Sequence, residues 1–168
     1  MPPAAVLVSA CLLGAPVRYH GGDAQSDSDI LRRWQRQRRI VAVCPEVAGG
    51  LPTPRPPAEL QGGDGVQVLR GGAAVRTRAG EDVTEAFRAG AAHAVAAARG
   101  ANVRVAVLKS GSPSCAVDGI YDGTFSGRRT AGAGVTAAAL RAAGVQVFDE
   151  TQLAEADAAL KEIDGRHD

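Results

Sequence analysis

The chain has 168 residues, 45% of them hydrophobic and 22% charged, with a formal net charge of +1. A chain of this length and composition is expected to bury one core as one domain, which excludes intrinsic disorder and a dependence on staples. Its near-neutral charge gives no field that would gather long nucleic acid or an anionic membrane surface.

Met1-Pro2-Pro3 has neither the basic start nor the small-residue cleavage site of a signal peptide. No apolar run reaches the roughly 18 residues of a membrane span. The cytoplasm is therefore the expected compartment. The apolar run from Ala4 to Ser9 reads as a buried strand and leads into Cys11. After a polar loop from Gly21 to Ser28, Asp27 or Ser28 can cap a helix reaching about Arg39, with Ile30, Leu31 and Trp34 on one face. Ile40 to Val43 is a second apolar strand and ends at Cys44. Gly49 to Gly65 contains Pro52, Pro54, Pro56 and Pro57, which predicts a long loop. Val66 to Leu69 and Ala73 to Thr77, bridged by Gly71-Gly72, have the pattern of a small hairpin.

Asp82-Val-Thr-Glu85 opens a helix that runs to Gly100, and Val103 to Leu108 is the third core strand. The segment Lys109-Ser-Gly-Ser-Pro-Ser-Cys115 follows it. Gly127 to Gly134, with Arg128 and Arg129, precedes a helix from Val135 to about Ala143; it reads as a flexible loop, or as a helix start that accepts a phosphate. Val145 to Phe148 is the fourth strand, Gln152 to Ile163 the last helix, and residues 164–168 a frayed tail. Alternating strands and helices predict an α/β fold. The expectation is a single domain over residues 1–163, with a mostly parallel Rossmann-like sheet flanked by helices.

The cysteines carry the main chemical clue. An odd number of them in a reducing compartment points to metal binding or catalysis more than to disulfides. Cys11 and Cys44 each follow a predicted core strand, and Cys115 lies in the loop after another. In a parallel sheet all three then share the rim at the carboxyl ends, where open α/β sheets bind ligands. Each taken alone is also compatible with a small buried hydrophobe. Zinc usually takes four N or S ligands, but the chain has no CxxC pair, and His20, His93 and His167 supply no evident fourth ligand. Soft thiolates suit an iron–sulfur cluster, and three of them on a cubane leave one iron without a protein ligand. Glu46, two residues after Cys44, can move protons there or be an ordinary surface carboxylate. Ser110, Ser112 and Ser114, with Gly111 and Pro113, can hold a carbonyl or an anion, or simply make a turn.

Several segments together resemble the bacterial thiouracil desulfurase family. They are Val8-Ser-Ala-Cys-Leu-Leu-Gly14 with Arg18-Tyr19, Cys44-Pro-Glu-Val-Ala-Gly-Gly-Leu51 with Pro54-Arg55, and Asp82-Val-Thr84 with Phe87. Leu108-Lys109, Ser112-Pro-Ser-Cys115, Ile120-Tyr-Asp-Gly-Thr-Phe-Ser126 and Gly134-Val-Thr136 complete the set, which spans about residues 6 to 150. The resemblance implies a [4Fe-4S] cluster held by Cys11, Cys44 and Cys115, with its fourth iron open to the sulfur of a thiolated uracil and water replacing that sulfur at carbon. It implies Glu46 as acid/base and Ser112 as a substrate or proton-relay contact, both catalytic. Substrate contacts are expected from Arg55, Lys109, Ser110 and Ser114. The implied partners are a small-molecule thiolated pyrimidine and the iron–sulfur assembly machinery. A non-catalytic sulfur or electron carrier, or an accessory protein, would need the same cysteines without Glu46. A metal-free nucleotide-binding module is what fold analogy alone suggests. The chain departs from the family pattern at His20, where Asp is expected, and at Ala116, where Gly is expected.

Overall fold

The computed structural model describes residues 3–166. Its centre is a four-stranded sheet built from β1 (Val6–Ser9), β2 (Ile40–Val43), β5 (Val105–Leu108) and β8 (Gln146–Asp149), in the order β2-β1-β5-β8. Every neighbouring pair is parallel, with Val6 opposite both Ile40 and Val105, and Val105 opposite Gln146. The four expected core strands are therefore the observed ones. β1 and β5 are buried at every residue because helices cover both faces. A strand wrapped in this way reads as a continuous apolar run instead of an alternating one.

On one face, Val6, Val8, Val105 and Val107 pack with Leu31 and Trp34 of α1 (Asp29–Arg36) and with Leu160 and Ile163 of α6 (Leu153–Arg166). On the other, Leu7, Ala106 and Leu108 meet α4 (Thr84–Gly100) and α5 (Val135–Ala142) through Ala94, Ala98, Ala137 and Leu140. Ser28 caps α1, accepting from the Ile30 and Leu31 amides. The last helix continues past Ile163 to Arg166, into the expected tail of residues 164–168, of which 167 and 168 lie outside the described residues. Asp164 holds the helix end down, accepting from the Ala4 amide at 2.9 Å and pairing with Arg39 at 3.0 Å.

The segments between β2 and α4 differ from expectation. Val66 to Leu69 is not a strand but part of α3 (Gly65–Arg70), because Asp64 and Gln67 form a reciprocal capping box at its start. That local bonding outweighs the strand preference of Val66 and Val68. The partner of β4 (Ala74–Thr77) is instead β3 (Ala58–Gln61), which begins just after the prolines of the supposed loop. α2 (Pro45–Ala48) is a single turn entered through Cys44. The Gly-rich stretch also holds a strand, β7 (Arg129–Ala131), antiparallel to β6 (Gly119–Tyr121).

Candidate active site

In this sheet the chain runs from β1 outward to β2, then returns past β1 to β5 and on to β8. The strand order reverses between β1 and β5, and a crevice opens at such a point beyond the carboxyl ends. A cavity of about 400 Å³ lies there, lined by Cys11, Cys44 and Cys115 together with Glu46, Arg55, Lys109, Ser110, Ser112 and Ser114. All the site residues expected from sequence thus border one space. They do not all face it in the same manner.

Cys11 sits in a 3₁₀ turn directly after β1, Cys44 is the residue that opens α2, and Cys115 lies in the β5–β6 loop. None is in a disulfide. Burial pushes the Cys11 thiol above its ordinary value, and the nearby Cys44 adds to this against the opposing pull of Arg18 and Lys109. The Cys115 thiol is pushed up to about 12, first by burial and then by Glu46 and Cys11, despite hydrogen bonds from Ser9 and Ser114. These bonds run from Ser9 Oγ at 3.4 Å and from Ser114 Oγ at 3.6 Å. Ser9 also accepts the Lys109 amide at 3.0 Å, so its hydroxyl ties β1 to β5 across the crevice.

Glu46 is tied down from two sides. Its Oε1 accepts from Arg55 Nε at 3.1 Å, and its Oε2 from Ser114 Oγ at 2.9 Å and Ser112 Oγ at 3.4 Å. The Ser112 hydroxyl in turn accepts the amides of Ser114 and Cys115 at 3.2 and 3.1 Å. Ser114 is buried, and its one hydroxyl proton is shared among Glu46 Oε2, Ser112 Oγ and Cys115 Sγ, all within hydrogen-bonding distance. The α5 amides that sequence offered to a phosphate are taken by Pro113 and Ser114 carbonyls, at 3.0 Å from Val135 and 2.8 Å from Thr136. Gly134 permits that approach, since a Cβ there would lie 2.5 Å from the Ser114 carbonyl oxygen.

A family model for 2-thiouracil desulfurase matches residues 6–152. The chain belongs to the 2-thiouracil desulfurase family. Within reach of that family, it is 47% identical over 148 residues to the uncharacterized protein YbbK of Bacillus subtilis (strain 168), covering 88% of this chain and 97% of YbbK. A solved structure of the [4Fe-4S]-dependent thiouracil desulfidase TudS superposes with a TM-score of 0.87 at 47% identity, covering 94% of this chain and 98% of that one.

The two departures from the family pattern are accommodated locally. His20 Nδ1 accepts the Gly22 amide at 3.0 Å, closing a turn in the way an Asp carboxylate two residues back would. Ala116 is buried and its φ is not positive, so the backbone there does not require glycine. Sequence reasoning missed Ser9, Glu150 and the cavity mouth. Glu150 accepts from the Ser110 amide at 2.9 Å and from Lys109 Nζ at 3.2 Å, and also bonds the Ser110 hydroxyl. Burial raises the Glu150 carboxyl, but the bonds from Ser110 and the charge of Lys109 outweigh it and hold it below its ordinary value. Its position immediately after β8, on the rim shared by the cysteines, was the available signal. The mouth carries Arg18, Arg78 and Arg129, the last two stacked on Phe125 and Tyr121 at 5.6 and 5.0 Å from the ring centres.

Proposed function

We propose that this protein hydrolyses the carbon–sulfur bond of a thiolated uracil, as free base, nucleoside or nucleotide, exchanging the sulfur for a water oxygen and releasing it as sulfide. The observation that supports this most is one cavity lined by three thiols, a doubly anchored carboxylate and a serine-rich loop. The donor set fits a [4Fe-4S] cluster. Three soft thiols converge from three strand ends, and burial disfavours ionisation of Cys11 and Cys115, with their neighbouring thiols adding to it, unless a cation is shared between them. Among the described residues, no three His, Cys, Asp or Glu side chains are gathered to hold a single metal ion. A cubane, in which each thiolate takes its own iron, does not need that tighter grouping.

Cys11, Cys44 and Cys115 would hold the cluster, which supplies one iron without a protein thiolate as a soft Lewis acid for a thiocarbonyl sulfur. Glu46 Oε2 then serves as the acid/base, taking a proton from the attacking water. Ser112, at 3.4 Å from that oxygen, relays it or bonds the pyrimidine. Lys109 and Ser110 line the cavity and are held by Glu150, which places a positive charge and the Ser110 hydroxyl oxygen beside the ring's polar edge. Arg18, Arg78 and Arg129 at the mouth favour a substrate with an anionic group beyond the ring. Tyr121 and Phe125 offer ring faces beside two of them. Three free thiols suit a reducing compartment such as the cytoplasm, where assembly machinery would load the cluster. No helix among the described residues is long and apolar enough to cross a membrane.

The test is anaerobic reconstitution followed by turnover with thiouracil, thiouridine and thiouridine monophosphate. The expected protein binds about four irons, the content of a cubane, and each Cys→Ser variant loses them. Stoichiometric zinc without iron uptake would overturn the cluster. A full cluster without turnover of any thiolated pyrimidine would leave a sulfur or electron carrier as the better reading.

A further inference from the structure

A buried cation beside a polar cavity invites the reading that Arg55 grips substrate. Its geometry is that of a brace. Besides the Nε bond to Glu46, Nη1 donates to the Pro52 carbonyl at 3.2 Å and to Thr53 Oγ1 at 3.1 Å, while Nη2 donates to the Val17 carbonyl at 2.8 Å. Those bonds use four of the five N–H donors a guanidinium owns. The side chain is 5% exposed, against 13% for Glu46. Little of its surface or bonding capacity is left for an incoming molecule.

We propose that Arg55 is a positioning residue, which fixes Glu46 so that Oε2 alone faces the serine loop and the cavity. This rests on the reading above, in which Glu46 moves protons. The terminal torsion of a glutamate is broad and roughly two-fold, so a carboxylate held through one oxygen can swing. Arg55 removes that freedom by occupying Oε1, and Ser112 and Ser114 then find Oε2 in one place. The brace is itself anchored, because the Arg55 amide donates to the Tyr19 carbonyl at 2.7 Å and its Nη2 shares the Val17 carbonyl with the Cys44 thiol. Lysine at this position would keep the charge but not the planar fork that meets Glu46, Val17 and the Pro52–Thr53 segment together.

The experiment is a double-mutant cycle on the reconstituted enzyme with Arg55→Gln, Arg55→Lys, Glu46→Gln and the Arg55→Gln/Glu46→Gln pair. Arg55→Gln is expected to keep iron and keep KM within about twofold, while kcat falls by about 10²-fold, the cost of a small misplacement at a reacting centre. Arg55→Lys should recover part of kcat. The double variant should be no slower than Glu46→Gln alone, because Arg55 acts through that carboxylate. A rise in KM with kcat unchanged would make Arg55 a substrate contact and overturn the proposal. So would multiplicative losses in the double variant, or loss of iron and of a cooperative melt in both Arg55 variants. In each of those cases an active wild type leaves the desulfurase reading standing. A wild type with a full cluster and no turnover brings down that reading, and this one with it.

Discussion

Ser9 uses both capacities of one hydroxyl. Accepting the Lys109 amide leaves its proton for the Cys115 sulfur, and burial denies it water as an alternative. Ser9→Ala should therefore cost about 1 kcal/mol of stability, the typical worth of one such bond, measurable by urea unfolding of the metal-free protein. Glu46 makes a different prediction, because its oxygens serve the site more than the fold. Glu46→Gln preserves shape, so iron content should stay at the wild-type level while turnover falls by about 10²–10⁴-fold, the usual range for a lost general acid or base. Wild-type turnover with a full cluster would remove Glu46 from the chemistry. Glu46 was legible because it lies two residues from a cysteine that follows a strand. Glu150 was harder to read, since its place after a strand is its sole mark in the chain and its partners are some forty residues away.

Between elements, the tightest constraint on the site is the seating of α2 against α4. A Cβ on Gly90 would lie 1.9 Å from the Pro45 carbonyl oxygen, and one on Gly49 would lie 2.0 Å from that of Ala86. Both are backbone atoms that cannot step aside, so the two glycines set how deeply α2 sits, and α2 carries Cys44 and Glu46 with it. Gly90→Ala should displace that turn and lower thermal stability and iron retention together. Gly100→Ala, with open space around its Cβ at the end of the same helix, is the control and should be neutral or slightly stabilising. Unchanged iron retention and melting temperature in Gly90→Ala would show that α2 tolerates the shift. β1 and β5 were readable because burial on both faces leaves an apolar run too short for a helix. β3 was hidden because the prolines run up to its first residue, and α3 because the strand preference of two valines masked its capping box. The convergence of the thiols followed from strand order, whereas the mouth did not, since its arginines come from two loops and the start of β7, joined only by the fold.

For the whole molecule, acid should act on the seam between α1 and α6. Asp157 there is buried, which raises its carboxyl, but Arg33, Trp34 and Lys161 outweigh this and hold it below its ordinary value. Trp34 Nε1 donates to it at 3.1 Å and Lys161 lies 3.2 Å away, with Arg33 paired to the same group. A carboxyl depressed in the folded state contributes stability above its unfolded value, about 3.9 for Asp, and loses it as pH falls through the folded value. Asp157→Asn should therefore be less stable than wild type at neutral pH, with the gap closing below about pH 4. Trp34 is the chain's one tryptophan and is fully buried, so its fluorescence can follow unfolding in a pH series. A gap that stays constant to pH 2 would dissociate Asp157 from acid sensitivity. The strand order also has a meaning in time. β5 lies between β1, which precedes it in the chain, and β8, which follows it. A nascent chain presents Cys11 and Cys44 long before Cys115 emerges, and the strand that aims Cys115 lacks one neighbour until β8 is synthesised. Until then only two of the thiols can stand in their places, and the complete set exists only as a property of the finished sheet.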